Sequence, residues 1–120
     1  DEAQKKSEFA NVRPSDQRIF GFMRGNPTQL SDIHASLGIS RQAAQQSIAR
    51  LRELGLVELR SMPDNARDKV VHITAKGQRL RAFAAEQIRR IERDCEKAIG
   101  VKGLKTLREL LKQLNSSTSF

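Results

Sequence analysis

The chain has one cysteine, Cys95, among 120 residues, so no internal disulfide can form and a reducing compartment is expected. No apolar run reaches the roughly 18 residues of a membrane span, and no signal-peptide core is visible. The expected location is therefore the cytoplasm, with no membrane partner. There are two histidines, His34 and His72, and neither has companions at metal-ligand spacing. Both are expected in structural or surface roles, with no metal and no cofactor. The stretch Gly21-Phe22-Met23-Arg24-Gly25 lacks the Gly-Lys-Ser/Thr ending of a phosphate loop. No Ser/His/Asp set and no carboxylate pair has a plausible setting, so no enzyme is expected. A lone cysteine such as Cys95 reads as a small buried hydrophobe. The chain begins at Asp1 rather than Met, as a trimmed protein or a fragment would. No repeat stands out, and only 115–119 is low in complexity.

What is present starts with charge. The formal net charge is +8 and the pI about 10.4, which points to a polyanionic partner. Residues 21–75 hold 7 Lys+Arg and 5 Asp+Glu, a net +2, whereas 76–120 hold 11 and 5, a net +6. Bulk charge is thus a weak pointer, and the placement of individual arginines has to carry more. The length fits one domain, and 38% hydrophobic residues allow a modest core.

Punctuation along the chain predicts a series of short elements. Pro14 suits a first helical turn, with Ser15 and Asp16 at its positive end and Ile19, Phe20, Phe22 and Met23 as an apolar face. Gly25-Asn26-Pro27 ends that helix, and a second starts near Thr28 or Gln29, with Ile33 and Leu37 inward. Gly38 supplies its terminal turn and Ile39 a core plug. Ser40 is a good N-cap for a helix over Arg41–Leu54, whose apolar line is Ala44, Ile48 and Leu51. Residues 56–60 and 69–73 alternate as half-buried strands, with Pro63-Asp64-Asn65 as the turn. Thr74 opens a long helix. Its stripe runs from Leu80 through Ile88, Ile91 and Cys95 to Ile99, and Gly100 and Gly103 punctuate it. Leu104, Leu107, Leu110, Leu111 and Leu114 mark a last amphipathic helix. Two such stripes exceed what one small core needs and predict burial against a second subunit.

The helix 41–54 carries the chemistry. Opposite its apolar line lie Arg41, Gln42, Gln45, Gln46 and Ala49, with no acid before Glu53. Glutamine can match the N6/N7 edge of adenine, and arginine the O6/N7 edge of guanine. Ala43 and Ala49 allow close approach to a thymine methyl. Ser40 and the helix N-terminus suit a phosphate. After this helix the hairpin tip, 64–69, offers Arg67 and Lys69, and an arginine there can enter the negative minor groove.

In order and spacing the chain resembles the MarR family of winged-helix transcription regulators. The residues that carry the resemblance are Ile33, Leu37-Gly38-Ile39-Ser40, Leu51 with Gly55-Leu56-Val57, Asn65 and Arg67, and Val71-His72-Ile73-Thr74-Ala75-Lys76-Gly77. It is close over about 14–78 and general in character over 79–114. It implies a homodimeric DNA-binding repressor or activator. The helix at 41–54 would read the major groove, and Arg67 the minor groove. Terminal helices would form the dimer, and a small, often phenolic effector would release DNA. The chain departs from the family at four points: Asn65 where Asp is common, His34 where a small Ala is usual, Ser47 in place of an apolar residue, and a segment before Pro14 shorter than the expected first helix.

The expected fold is mainly α with a small β wing: a winged helix-turn-helix at 14–78 and a helical dimerisation region at 79–115, joined by 1–13. The expected function is regulation of transcription on a palindromic operator. Ser40, Arg41, Gln42, Ala43, Gln45, Gln46, Arg67 and Lys69 are the expected DNA contacts. Ile88, Ile91, Leu104, Leu107, Leu111 and Leu114 are the expected dimer contacts. The partners are double-stranded DNA, a second copy of the chain and a small aromatic effector. The alternative is a winged helix that docks on protein or RNA, which a shallow salt dependence would reveal.

Overall fold

Pro14 places its fixed φ at the first turn of a helix, and the chain before it, polar but without breakers, is also helical. In the computed structural model, which describes residues 2–117 and the side chains of 3–64 and 67–116, these are α1 (Glu2–Ala10) and α2 (Pro14–Phe22). They are followed by β1 (Thr28–Gln29), α3 (Leu30–Leu37), α4 (Arg41–Glu53), β2 (Val57–Met62), β3 (Asn65–Ile73) and α5 (Ala75–Ser117). The protein is mainly helical with one small antiparallel sheet of order β1-β3-β2, a winged helix-turn-helix. By its internal contacts the chain falls into two compact units, 1–83 and 84–120.

The first unit holds the core. Ile19, Phe20 and Met23 of α2 and its exit meet Leu30 and Ile33 of α3 and Ala44, Ile48 and Leu51 of α4. Leu56, Val57, Val71 and Leu80 close it from the sheet and from the first turns of α5. Phe22, expected on the inward face, is exposed, because Ile19, Phe20 and Met23 share one side of the helical turn and Phe22 falls about 100° away from its centre. Gly38 takes φ 65 and ψ 31, the left-handed conformation that costs a residue without Cβ least, and so turns α3 towards α4.

The second helix begins later than expected, at Leu30. Thr28 and Gln29 are extended instead, paired with Val71 and Val70 of β3. The wing strands are longer than expected. β2 and β3 pair from Val57↔Ile73 to Ser61↔Lys69, and then the register jumps to Met62↔Asn65. The turn is confined to Pro63 and Asp64, and Arg67 lies in the bulged part of β3 rather than at the tip. Such an irregularity re-aims side chains and increases local twist.

The base of the wing is tied to the end of α4. The Thr74 hydroxyl donates to the Gly55 carbonyl (2.6 Å) and accepts from the Gly77 amide (3.1 Å). Lys76 Nζ donates to the Leu54 carbonyl (2.8 Å), capping the negative end of α4. The run Thr74-Ala75-Lys76-Gly77 is therefore a clasp.

The second unit consists of the rest of α5, broken at Gly100 (φ 78, ψ 171). Glu92 and Arg108 are 16 positions apart, about 24 Å along a straight helix. Their side chains pair at 3.0 Å, so the two limbs fold back on each other. Glu86 ties the first limb through Arg89 (3.1 Å) and Arg93 (3.0 Å). The two arginine hydrogen bonds draw its carboxyl below the usual carboxylate range. The second limb begins directly after Gly100, and Gly103 is inside it. Its close fit to Ile99, 2.9 Å from where a Cβ would stand, explains the second glycine.

Candidate nucleic-acid interface

Ser40 is extended (φ −67, ψ 155) and its hydroxyl accepts the Ala43 amide at 3.0 Å, as an N-cap should. That bond starts α4 where the sequence predicts. Arg41, Gln42, Gln45, Gln46 and Ala49 are all exposed, and Ala44, Ser47, Ile48 and Leu51 are buried. No acid sits in the first turn, so the amide-rich, positive end of the helix is left open. α4 thus presents a neutral glutamine face with a positive start. Ala43 is only half-exposed. With Ile19, Leu37 and Ile39 it lines a depression of about 180 Å3, so it sits at the edge of this face.

On the wing, Arg67 is exposed and Lys69 is half-buried, its ammonium donating to Ser61 Oγ at 2.7 Å across the ladder. Arg60 and Glu58, both exposed, form an ion pair on β2. The side chain of Asn65, the departure next to Arg67, lies outside the described residues. The structure thus brings Ser40, Arg41, Gln42, Gln45 and Gln46 together on one helix, and puts Arg67 and Lys69 on a separate strand.

Sequence reasoning missed the polar centre that seats α4. Asp16 is 1% exposed, and it is buried because three donors surround its carboxylate. Ser47 Oγ donates to Oδ1 at 2.6 Å, and Arg50 donates from Nη2 to Oδ1 at 2.9 Å and from Nε to Oδ2 at 2.8 Å. Burial alone would raise the Asp16 pKa. The Arg50 and Ser47 hydrogen bonds, with the charges of Arg50 and Arg13, outweigh it and hold the carboxyl below its ordinary range. Ser47, the departure on the apolar side of α4, is the partner of this acid. A serine in step with Ala44, Ile48 and Leu51 was the available signal.

The structure places five of the six expected dimer contacts on the surface of the second unit: Ile88, Ile91, Leu107, Leu111 and Leu114. Leu104 is buried within the chain. Val101, Ile99 and Leu110 add to the exposed apolar set. Cys95 is half-buried. Among the described residues no group of three His, Cys, Asp or Glu side chains could hold a metal ion, and no helix is long and apolar enough to cross a membrane.

With this geometry in view, residues 11–68 match the model of the MarR family. Over those residues, a little under half of the chain, the sequence is similar to the MarR family. Solved structures extend the likeness in fold to the rest of the chain. A MarR-like transcriptional regulator from Thermotoga maritima superposes with a TM-score of 0.76 at 16% identity, covering 95% of this chain and 82% of that one. MepR of S. aureus, solved as a DNA complex, gives 0.73 at 15%, covering 97% and 88%. BldR of Sulfolobus solfataricus gives 0.62 at 21%, covering 90% and 76%. No curated protein matches the chain.

Proposed function

We propose that this MarR-type chain is a sequence-specific DNA-binding repressor that acts as a homodimer on a palindromic operator. The observation that carries this reading is the exposed face of α4: Arg41, Gln42, Gln45, Gln46 and Ala49, with an open N-terminus and no acid in the first turn. In the reading, α4 enters the major groove with its glutamines on base edges, Ser40 and the helix start lie on a phosphate, and Arg67 and Lys69 of the wing follow the adjacent backbone and minor groove. MepR, which shares the fold, was solved on DNA, and this supports the role. The exposed leucines and isoleucines of the second unit, spaced by three and four along its helical limbs, support a dimer, because apolar side chains repeated along a helix favour a protein partner. A small aromatic effector that releases DNA completes the proposal by likeness to the family, and the cytoplasm is the compartment that fits it.

A salt titration separates base reading from phosphate anchoring. Substituting by alanine whichever of Gln42, Gln45 and Gln46 contacts a base should cost about 1–3 kcal/mol on the preferred duplex and leave the salt slope nearly unchanged. Arg67→Ala should weaken specific and scrambled duplexes together and make the slope shallower, most of all with A·T-rich flanks. An Arg67→Ala variant with affinity and slope untouched would remove the wing from the DNA interface. A chain with no salt-dependent duplex binding at all would favour a protein-docking module.

A further inference from the structure

We infer that Asp16 is a specificity-determining residue, because its carboxylate masks Arg50 at the flank of the reading helix. This rests on the DNA-reading role of α4. Arg50 follows Gln46 by one turn and so stands beside the reading face rather than behind it. Its side chain is one-third exposed, at 33%, and within reach of the surface. Arg13 and Arg18, both exposed, share this edge of the molecule. Arg13 acts on Asp16 through its charge, and Arg18 lines the same depression as Ala43, Gln46 and Arg50. Three arginines around one helix flank would grip the phosphate backbone of any duplex, whatever its sequence.

Asp16 removes one of the three. It takes two hydrogen bonds from the Arg50 guanidinium, and Ser47 fixes the same carboxylate from below. The pair is electrically neutral, so at this place it releases no counterion when DNA binds. The remaining discrimination falls to the uncharged glutamines. Asp16 therefore acts through Arg50 as a positioning residue: it keeps non-specific affinity low and the base-reading share of the binding energy high.

The test is the salt dependence of binding to a preferred and a scrambled duplex for the unaltered chain, Asp16→Asn and the double variant Asp16→Asn/Arg50→Gln. Asp16→Asn frees one charge per protomer. Its slope should steepen by about 0.9 per protomer, which is about three- to fourfold in affinity between 50 and 200 mM salt. Scrambled duplex should gain most at low salt, so the specificity ratio should fall. The double variant should return to the slope of the unaltered chain. A merely structural Asp16 would lower affinity without changing slope, and that result would overturn the inference. Should Asp16→Asn not fold, the double variant decides, because it keeps a hydrogen-bonded neutral pair. An unchanged slope supports masking, and a shallower one shows that Arg50 already holds a phosphate and overturns it. If the unaltered chain binds no duplex, the DNA-reading role itself falls. Binding with the wrong slopes refutes the masking alone.

Discussion

Gly77→Ala should destabilise the fold by about 2–3 kcal/mol. A Cβ at this position would stand 2.3 Å from the Leu56 carbonyl oxygen and 2.6 Å from Ile73 Cγ2. The first of these is backbone and cannot swing aside. Relief requires the start of α5 to move away from the strand, which strains the Thr74–Gly55 and Lys76–Leu54 bonds that anchor the end of α4. For a domain of this size such a loss corresponds to a fall of roughly 10–20 °C in melting temperature. Gly21 is the internal control. It lies within α2, and nothing stands within 4 Å of its added Cβ. Gly21→Ala should therefore be neutral or stabilising by about 0.5–1 kcal/mol. Thermal melts of the two variants check both signs. A Gly77→Ala protein as stable as the parent would show that the clasp is looser than drawn.

Asp16→Ala should cost about 2–3 kcal/mol at neutral pH, because it leaves the buried Ser47 hydroxyl and the Arg50 guanidinium without their acceptor. The lower part of the range for a broken buried pair applies, since Arg50 can turn towards water. The effect has a pH signature. Folding lowers the Asp16 pKa, so the stabilisation is complete above the unfolded value of about 3.9 and is lost as pH falls through the folded value. The gap in stability between parent and Asp16→Ala should hold from pH 7 down to about 4 and narrow below it. Denaturant unfolding at a series of pH values measures this. A gap that stayed constant down to pH 2 would mean that the carboxylate charge contributes nothing.

The readable parts of the chain were those whose causes are local. Gly38, Ser40 and the 44/48/51 spacing each act within a turn, and α3, the turn and α4 followed from them. The parts that escaped depend on partners far along the chain. Thr28 and Gln29 are extended because β3, some 40 residues on, offers Val70 and Val71 as partners, and nothing in a two-residue strand announces that. The Asp16 carboxylate looks like an ordinary helix-start acid until Ser47 and Arg50, 31 and 34 residues away, close over it. The wing is longer than its alternating residues imply, because its strands pair through a bulge, where alternation of side chains no longer holds. The leucines of the second unit kept their helical spacing, but Leu104 went inward when the limbs folded at Gly100. On the reading face itself, Arg41, Gln42, Gln45 and Gln46 were legible because exposure follows directly from opposition to a buried line.

Selection of bound sequences from random duplexes tests the central claim, that α4 reads DNA as one half of a two-fold pair. The account predicts an imperfect palindrome whose half-site centres lie about one helical turn apart, roughly 10 base pairs. Single asymmetric sites, or no preference among duplexes, would contradict it.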